Sequence, residues 1–422
     1  MHFTFPISLG LLSRFGNRYA FVRGNFLILV ASWILMFSTS PISGTYASKF
    51  FKTSLGANDF LLSIISFSGL IAIAFVQFPG GYLADKHGRR WLVYAMTFGV
   101  AFSYLFFIFA PSWPLIVVGT VFQNLCLLYQ PALYAIMIDS VSPENRGAGF
   151  SMQAVITNLV GLPASLIAGY LVLIFNLDIG MRIAYAIAMI AYFAAAFLRV
   201  KLKETMPSGG NDRPNFLAAF KEYPQAVRES LDVWSKTPRS VYYLFICNAA
   251  INSLIVGSST YFVIYATENL GISNFQWALV LALMSFTVAA PSIIAGLRMD
   301  EVGRKSYVIA SYLCYIPAMI LFVYGNFYVL IIAFFFFGLG QVLQSSSYTS
   351  LLGDLTPRAL RGKVVGCSQF FGYMAQAFTQ ILIGLLFSYV WRPLPFLMLA
   401  ASAIPFSLLV HYRVFEEDKK QV

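Results

Sequence analysis

Again and again along this chain, a run of roughly twenty residues passes almost without a charge. That recurrence limits the fold more than any motif does. A backbone crossing ~30 Å of hydrocarbon finds no water to bond, so it must satisfy its own N–H and C=O groups, and a helix does so within one segment. The composition agrees: 59% of the residues are hydrophobic and 11% charged, where a soluble domain carries about a quarter charged.

Twelve spans can be drawn, near 25–48, 58–82, 91–110, 114–138, 148–173, 181–200, 241–265, 276–297, 306–325, 327–351, 364–390 and 394–412. The connectors are short except one, about 199–240, which is polar and divides the spans six and six. The expected fold is an all-α membrane protein of twelve transmembrane helices in two pseudo-symmetric six-helix bundles. Its expected parts are a tail (1–24), a bundle (25–200), a linker (201–240), a second bundle (241–412) and a tail (413–422). In the linker, Phe216, Phe220, Val227, Leu231 and Trp234 recur near helical spacing around Pro224. They predict an amphipathic segment lying on the inner membrane surface.

Charge sets the orientation. The net charge is +11, but the basic residues sit in connectors rather than in a patch on a polar domain, which argues against nucleic acid. Of 28 Lys and Arg, 24 fall on the side of the N-terminus and 4 (Lys49, Lys52, Arg182, Arg392) on the other; without the long linker the split is 16 to 4. Inner loops accumulate basic residues, so both termini are expected in the cytoplasm, with the spans in the plasma membrane. Cys126, Cys247, Cys314 and Cys367 lie inside apolar runs without a CxxC pair and read as small buried hydrophobes. No phosphate loop, zinc spacing or nucleophile–His pair points to an enzyme, and no cofactor or metal is expected. The expected partners are membrane lipids and a small organic solute, and the expected state is a monomer.

The charges also repeat. In "GGYLADKHGRR" (80–90), Gly81, Asp85, Gly88 and Arg89 recur 215 residues later as Gly296, Asp300, Gly303 and Arg304 in "AGLRMDEVGRK". In "DSVSPENRG" (139–147), Asp139 and Arg146 return at the same offset as Asp354 and Arg361 in "DLTPRALRG". Two loops sharing one offset indicate an internal repeat of six spans. Secondary transporters are built this way, as parallel halves around a midplane site. Gly81 is suited to close helix approach and Gly88 to a tight turn. Asp85 can lie by a helix N-terminus or pair with Arg89 or Arg146.

The first loop and its weaker copy resemble the signature loops of the major facilitator superfamily, and the resemblance covers the whole chain, closest to the drug:proton antiporter branch. The resemblance implies that Asp85 docks near the start of span eleven, by Val364, and Asp300 near the start of span five, by Ala148. These contacts would hold the cytoplasmic side closed while the site faces outward. Span five departs from the antiporter pattern: "GLPASLIAG" (161–169) keeps Gly161, Pro163 and Gly169 in altered spacing.

None of the 17 acidic residues, and no Lys, Arg or His, falls near a span's midpoint. A strongly anionic solute would want a central Arg, and a proton-coupled carrier a midplane carboxylate. Asp139 and Asp354, at the inner ends of spans four and ten, are the nearest candidates for a coupling proton; the alternative is a structural role at a helix end. Uncharged polar residues form stripes instead: Ser32, Thr39, Ser43 and Tyr46 in span one; Gln123, Gln130 and Tyr134 in span four; Asn248, Asn252 and Ser259 in span seven; Gln341, Gln344, Ser345 and Tyr348 in span ten. Facing lipid would be costly for them, so they point inward, as cavity lining or as hydrogen bonds between helices. The resemblance implies that these four spans line the central cavity. Trp33, Tyr129, Tyr134, Tyr261 and Tyr265 can stack on a ring or hold a cation.

The expected function is a secondary transporter of a small neutral or weakly cationic organic solute by alternating access, with export of amphipathic compounds foremost. Uptake of a sugar or polyol, and a non-transporting sensor on the same fold, are the alternatives.

Overall fold

The computed structural model describes residues 22–86, 88–142, 152–153, 156, 160–161, 163–206, 224–225, 227–228, 232, 234, 236–286, 303–357 and 361–415. The described residues form helices and connecting turns, with no strand among them. In chain order the helices are α1 (Gly24–Gly44), α2 (Ala47–Thr53), α3 (Asp59–Lys86), α4 (Arg90–Ile108), α5 (Trp113–Cys126), α6 (Gln130–Asp139) and α7 (Ala164–Val200) in the first half. The second half has α8 (Arg239–Ser259), α9 (Asn274–Phe286), α10 (Arg304–Tyr324), α11 (Phe327–Leu355), α12 (Arg361–Leu385) and α13 (Leu394–Arg413). Ten of the described helical stretches are long and apolar enough to cross a membrane.

Two departures from an even count have local causes. The 37 residues of α7 exceed any single span, and at Asn176 (φ 61°) the backbone leaves the helical region. Gly180 then lies so close to the Leu171 carbonyl that a β-carbon would meet it at 2.9 Å, so the chain doubles back there. Expected spans five and six are thus the two arms of α7. Span four is split into α5 and α6 by a 3-10 turn at Leu127–Tyr129, just before Pro131, which has no N–H to donate. Span eight is described only as far as Phe286, and the linker's amphipathic segment lies largely outside the described residues.

The face on which α1 begins and α13 ends is called the terminal face below, and the opposite one the far face. The halves meet mainly through α3 and α12, where Phe78 faces Phe370 at 5.0 Å and Phe67 faces Phe378 at 6.2 Å between ring centroids. Toward the far face small residues let the backbones close in. A β-carbon on Gly384 of α12 would strike Ser63 of α3, and one on Gly169 of α7 would strike Ala278 of α9 at 2.6 Å. Toward the terminal face the halves part.

Candidate functional site: a cavity between the halves and a sealed far face

The gap between the halves is a cavity of about 1130 Å³, lined from α3, α6, α8, α11 and α12. Its walls mix rings and branched chains (Phe78, Phe245, Ile138, Leu352, Val365) with amides (Gln77, Gln130, Asn248, Asn252, Gln369, Gln376) and phenols (Tyr134, Tyr348, Tyr373). Among the described residues, neither Asp, Glu, Lys, Arg nor His lines it. The cavity reaches Gly81, Ile138 and Thr356, all near the terminal-face ends of their helices, so it opens toward that face. A second recess of about 290 Å³ adjoins it, lined by Asn248, Asn252, Ile255, Gln341, Gln344, Ser345 and Tyr348 among others.

A chain of hydrogen bonds sets the polarity of this wall. Buried Tyr315 donates to Gln344 Oε1 at 2.6 Å, so the other end of that amide, Nε2, must donate, and it does so to Asn248 Oδ1 at 2.9 Å. One acceptor site of the Asn248 carbonyl is thereby taken, and its NH₂ carries two N–H donors, one of them within reach of Tyr348. Tyr348 lies within hydrogen-bonding reach of Asn248 and Ser368. This side of the cavity therefore offers donors, and suits a solute with carbonyl, ether or hydroxyl oxygens.

The expected stripes divide. Gln130, Tyr134, Asn248, Asn252, Gln341, Gln344 and Tyr348 line one or both spaces. Thr39, Ser43 and Gln123 are not among the described lining residues of these two spaces. Thr39 and Ser43 bond carbonyls one turn back in α1, and Ser43 and Gln123 lie within reach of buried Tyr104 inside the first half. A helix in the middle of a bundle has two inward faces, one to the cavity and one to its own half, and polarity alone does not tell them apart. Of the aromatics, Tyr134 lines the cavity, Tyr265 donates to the Val323 carbonyl, Trp33 packs on Phe26, and Tyr261 stacks on Phe387.

The signature loops fold alike in both halves. Gly88 (φ 94°) and Gly303 (φ 95°) make the same left-handed turn into α4 and α10, where a β-carbon would be strained. Arg89 Nη1 pairs with Asp139 Oδ2, and Arg304 Nη1 with Asp354 Oδ2, so the repeat conserves an ion pair as well as a spacing. The close helix approach expected of Gly81 belongs to its neighbour. A β-carbon on Gly80 would strike the Leu128 carbonyl of the 3-10 turn, while Gly81 has open space and faces the cavity. The side chains of Asp85 and Arg361, and Arg146, Gly296 and Asp300 altogether, lie outside the described residues, as do the docking contacts expected of the two aspartates.

One acid missed by the sequence reading holds the first loop. Glu204, just past α7, accepts the backbone N–H groups of Arg89 and Arg90 at 3.0 and 2.9 Å through Oε2, and those of Thr205 and Met206 through Oε1. Burial alone would raise its pKa, but these four donors outweigh that and hold the carboxyl below the usual glutamate value. It thus caps α4, where the helix dipole favours negative charge.

At the far face, four charges join the halves. Lys52 and Asp59 come from the first half, Glu268 and Arg392 from the second. Lys52 pairs with Asp59 at 2.7 Å and with Glu268 at 2.8 Å; Arg392 pairs with both acids at 3.1 Å. Around this square Lys49 donates to Asn274 Oδ1, Tyr46 OH to the Asn274 carbonyl, and Tyr261 OH to the Asp59 carbonyl at 2.9 Å. Arg182 stays within the first half, on Asp178 and the Ile108 and Ala110 carbonyls.

Known proteins agree with this architecture. Residues 28–264 and 244–422 match the family model described as Major Facilitator Superfamily. An uncharacterized MFS-type transporter of Methanocaldococcus jannaschii is 22% identical over 322 residues, 75% of either chain. Among solved structures, a D-xylose–proton symporter superposes with a TM-score of 0.74 at 16% identity, covering 94% of this chain and 99% of that one. A peptide transporter of the POT type, crystallised with sulfate, gives 0.72 at 16% identity over 92% and 93%. A human organic anion transporter gives 0.64 at 16% identity over 93% and 99%.

Proposed function

Because the chain belongs to the major facilitator superfamily and is a secondary transporter, we propose that it carries an uncharged, amphipathic organic solute through the cavity between its halves by alternating access, outward across the plasma membrane. The observation that carries the charge class is the lining itself: apolar surfaces for desolvation, oriented amides for hydrogen bonds, and no formal charge among the described lining residues. The direction follows the resemblance of the signature loop to antiporters. In this reading the basic terminal face is cytoplasmic, and the structure corresponds to the state open to the cytoplasm. The square of Lys52, Asp59, Glu268 and Arg392 is then the outer gate. The signature loops, with Gly81, Asp85, Gly88, Arg89 and Arg146 in the first half and Gly296, Asp300, Gly303, Arg304 and Arg361 in the second, gate the inner side. Asp139 and Asp354, already paired with arginines, act at helix ends and not as carriers of a coupling proton.

A second reading rests on the six lining amides, which suit a sugar or polyol taken up in the opposite direction. A thermal-shift panel of the purified protein separates the two. A ligand at 100 times its dissociation constant adds ~2.7 kcal/mol to the folded state. Stabilisation by neutral amphipathic compounds supports the first reading, and stabilisation by polyols alone replaces it with the second. Gln344→Ala strips the orienting contact from Asn248 and is expected to weaken ligand binding by about tenfold, the loss of one hydrogen bond. Unchanged affinity in that variant removes the donor wall from the site.

A further inference from the structure

Arg199 is counted by the sequence among the basic residues of the linker, yet the structure buries it completely inside the first half. It stands at the end of α7, and its side chain reaches Ser32 of α1 (Nε to Oγ, 3.1 Å) and Thr97 of α4 (Nη1 to Oγ1, 2.8 Å). Its guanidinium lies 5.3 Å from the centroid of the Tyr129 ring, in the 3-10 turn that breaks span four. Among the described residues its side-chain contacts are hydroxyls and a ring, and Nη2 has no partner there. A buried guanidinium without a carboxylate is costly in a membrane, and a cation at a helix end ordinarily reaches out to the interface instead.

Packing does not require that charge. At the repeat offset of 215, Arg199, Ser32, Thr97 and Tyr129 correspond to Val414, Cys247, Tyr312 and Gln344. There Val414, Cys247 and Tyr312 fill the second half without an ion, all fully buried. Among the described residues, the two halves thus differ at these positions by one buried positive charge with no carboxylate beside it. That charge lies behind the cavity wall, since Tyr129 adjoins Gln130, which lines the cavity.

We propose that Arg199 is a specificity-determining residue: its buried, uncompensated charge, set behind Gln130, makes the cavity reject cationic solutes in favour of uncharged ones with acceptor oxygens. This rests on the reading of the cavity as the solute site. Tyr129 and Gln130 are consecutive residues, so the charge is taken to act over a range on the order of 10 Å. At that range and an effective dielectric near 20, a unit charge changes affinity on the order of tenfold.

The test uses matched ligands that differ only in charge: quaternary ammonium compounds and their uncharged tert-butyl isosteres, from choline and 3,3-dimethylbutan-1-ol to phenyl-extended analogues. Affinities are read from thermal shifts of the full chain. The wild-type protein is expected to bind the uncharged member of each pair on the order of tenfold more tightly. Arg199→Lys keeps that preference. Arg199→Gln loses it while holding the uncharged ligand within about twofold, whereas a merely structural role would weaken both members together. Should Arg199→Gln fail to fold, Thr97→Asp supplies a counter-charge at a hydroxyl that Arg199 already bonds and is expected to abolish the preference. Equal or tighter binding of the ammonium compounds by wild type overturns the proposal, as does an unchanged preference in folded Arg199→Gln or Thr97→Asp. Binding without charge preference leaves the cavity as a solute site, whereas no binding by any pair overturns that reading as well.

Discussion

The charges of the far face and those of the terminal face are arranged on opposite plans. At the far face, Lys52, Asp59, Glu268 and Arg392 alternate in sign around a square, with each half supplying one acid and one base. At the terminal face, Arg89–Asp139 and Arg304–Asp354 each stay inside one half, as do Glu204 on the α4 N-terminus and Lys305 on the His411 carbonyl. Among the described residues, one set of charges therefore ties the halves together and the other includes pairs that stiffen each half separately. The square has a further property: if the halves part at the far face, Lys52–Asp59 and Glu268–Arg392 remain as pairs within their own halves. Neither acid of the square is stranded, and two crossing ion pairs are lost, with the hydrogen bonds of Lys49 and Tyr46 to Asn274 and of Tyr261 to the Asp59 carbonyl. Partly exposed pairs contribute about 0.2–1 kcal/mol each, a size that a ligand with modest preference between states can overcome.

The largest effect is expected from converting the square into a repulsion. Asp59→Asn with Glu268→Gln leaves Lys52 and Arg392 facing each other across the seam. The population with the far face open should rise on the order of tenfold, from the loss of about 1–2 kcal/mol in crossing pairs. Pulsed electron-spin distances between labels at Thr53 and Tyr328 report it. A smaller and different effect is expected at the terminal face. Asp354→Asn or Asp139→Asn removes an ion pair within one half, lowering the melting temperature by about one degree (about 1 kcal/mol) with no change in those distances. If the distances do shift as in the far-face variant, the comparison fails and the coupling-proton role of that aspartate is restored.

The smallest effect concerns Glu204. Its pKa is lower folded than unfolded, so its cap contributes fully above the ordinary glutamate value and is lost as pH falls through the lowered one. Melting temperature followed downward from pH 6 should drop less steeply in Glu204→Gln than in wild type. Parallel curves remove the capping role.

What the sequence could reveal follows the same division. The signature loops were legible because glycine turns and charges have no place inside a span, so Gly88, Arg89, Gly303 and Arg304 stand out and their offset can be counted. The Arg–Asp pairs inherit that legibility. The square was only half legible: hydropathy puts Lys52 and Arg392 on the far face, but their meeting with Asp59 and Glu268 depends on how two halves close, which no local pattern encodes. Arg199 was misplaced because a basic residue at the end of an apolar run ordinarily marks the interface. Only the backward lean of helical side chains and hydroxyls from two other helices reveal that this one turns inward. Ser43 and Gln123 share their stripes with residues of the cavity lining yet lie within reach of Tyr104 inside their own half.

The most direct measurement is the side from which the cavity can be reached. A single cysteine at Asn252, in a cysteine-free background, would be probed with a membrane-impermeant maleimide from each side of oriented vesicles. Alternating access gated by the square predicts fast labelling from the terminal face, slow labelling from the far face, and a rise of about tenfold in the far-face rate when Asp59→Asn and Glu268→Gln are combined. Equal labelling from both faces in wild type, or a far-face rate indifferent to those two substitutions, would contradict it.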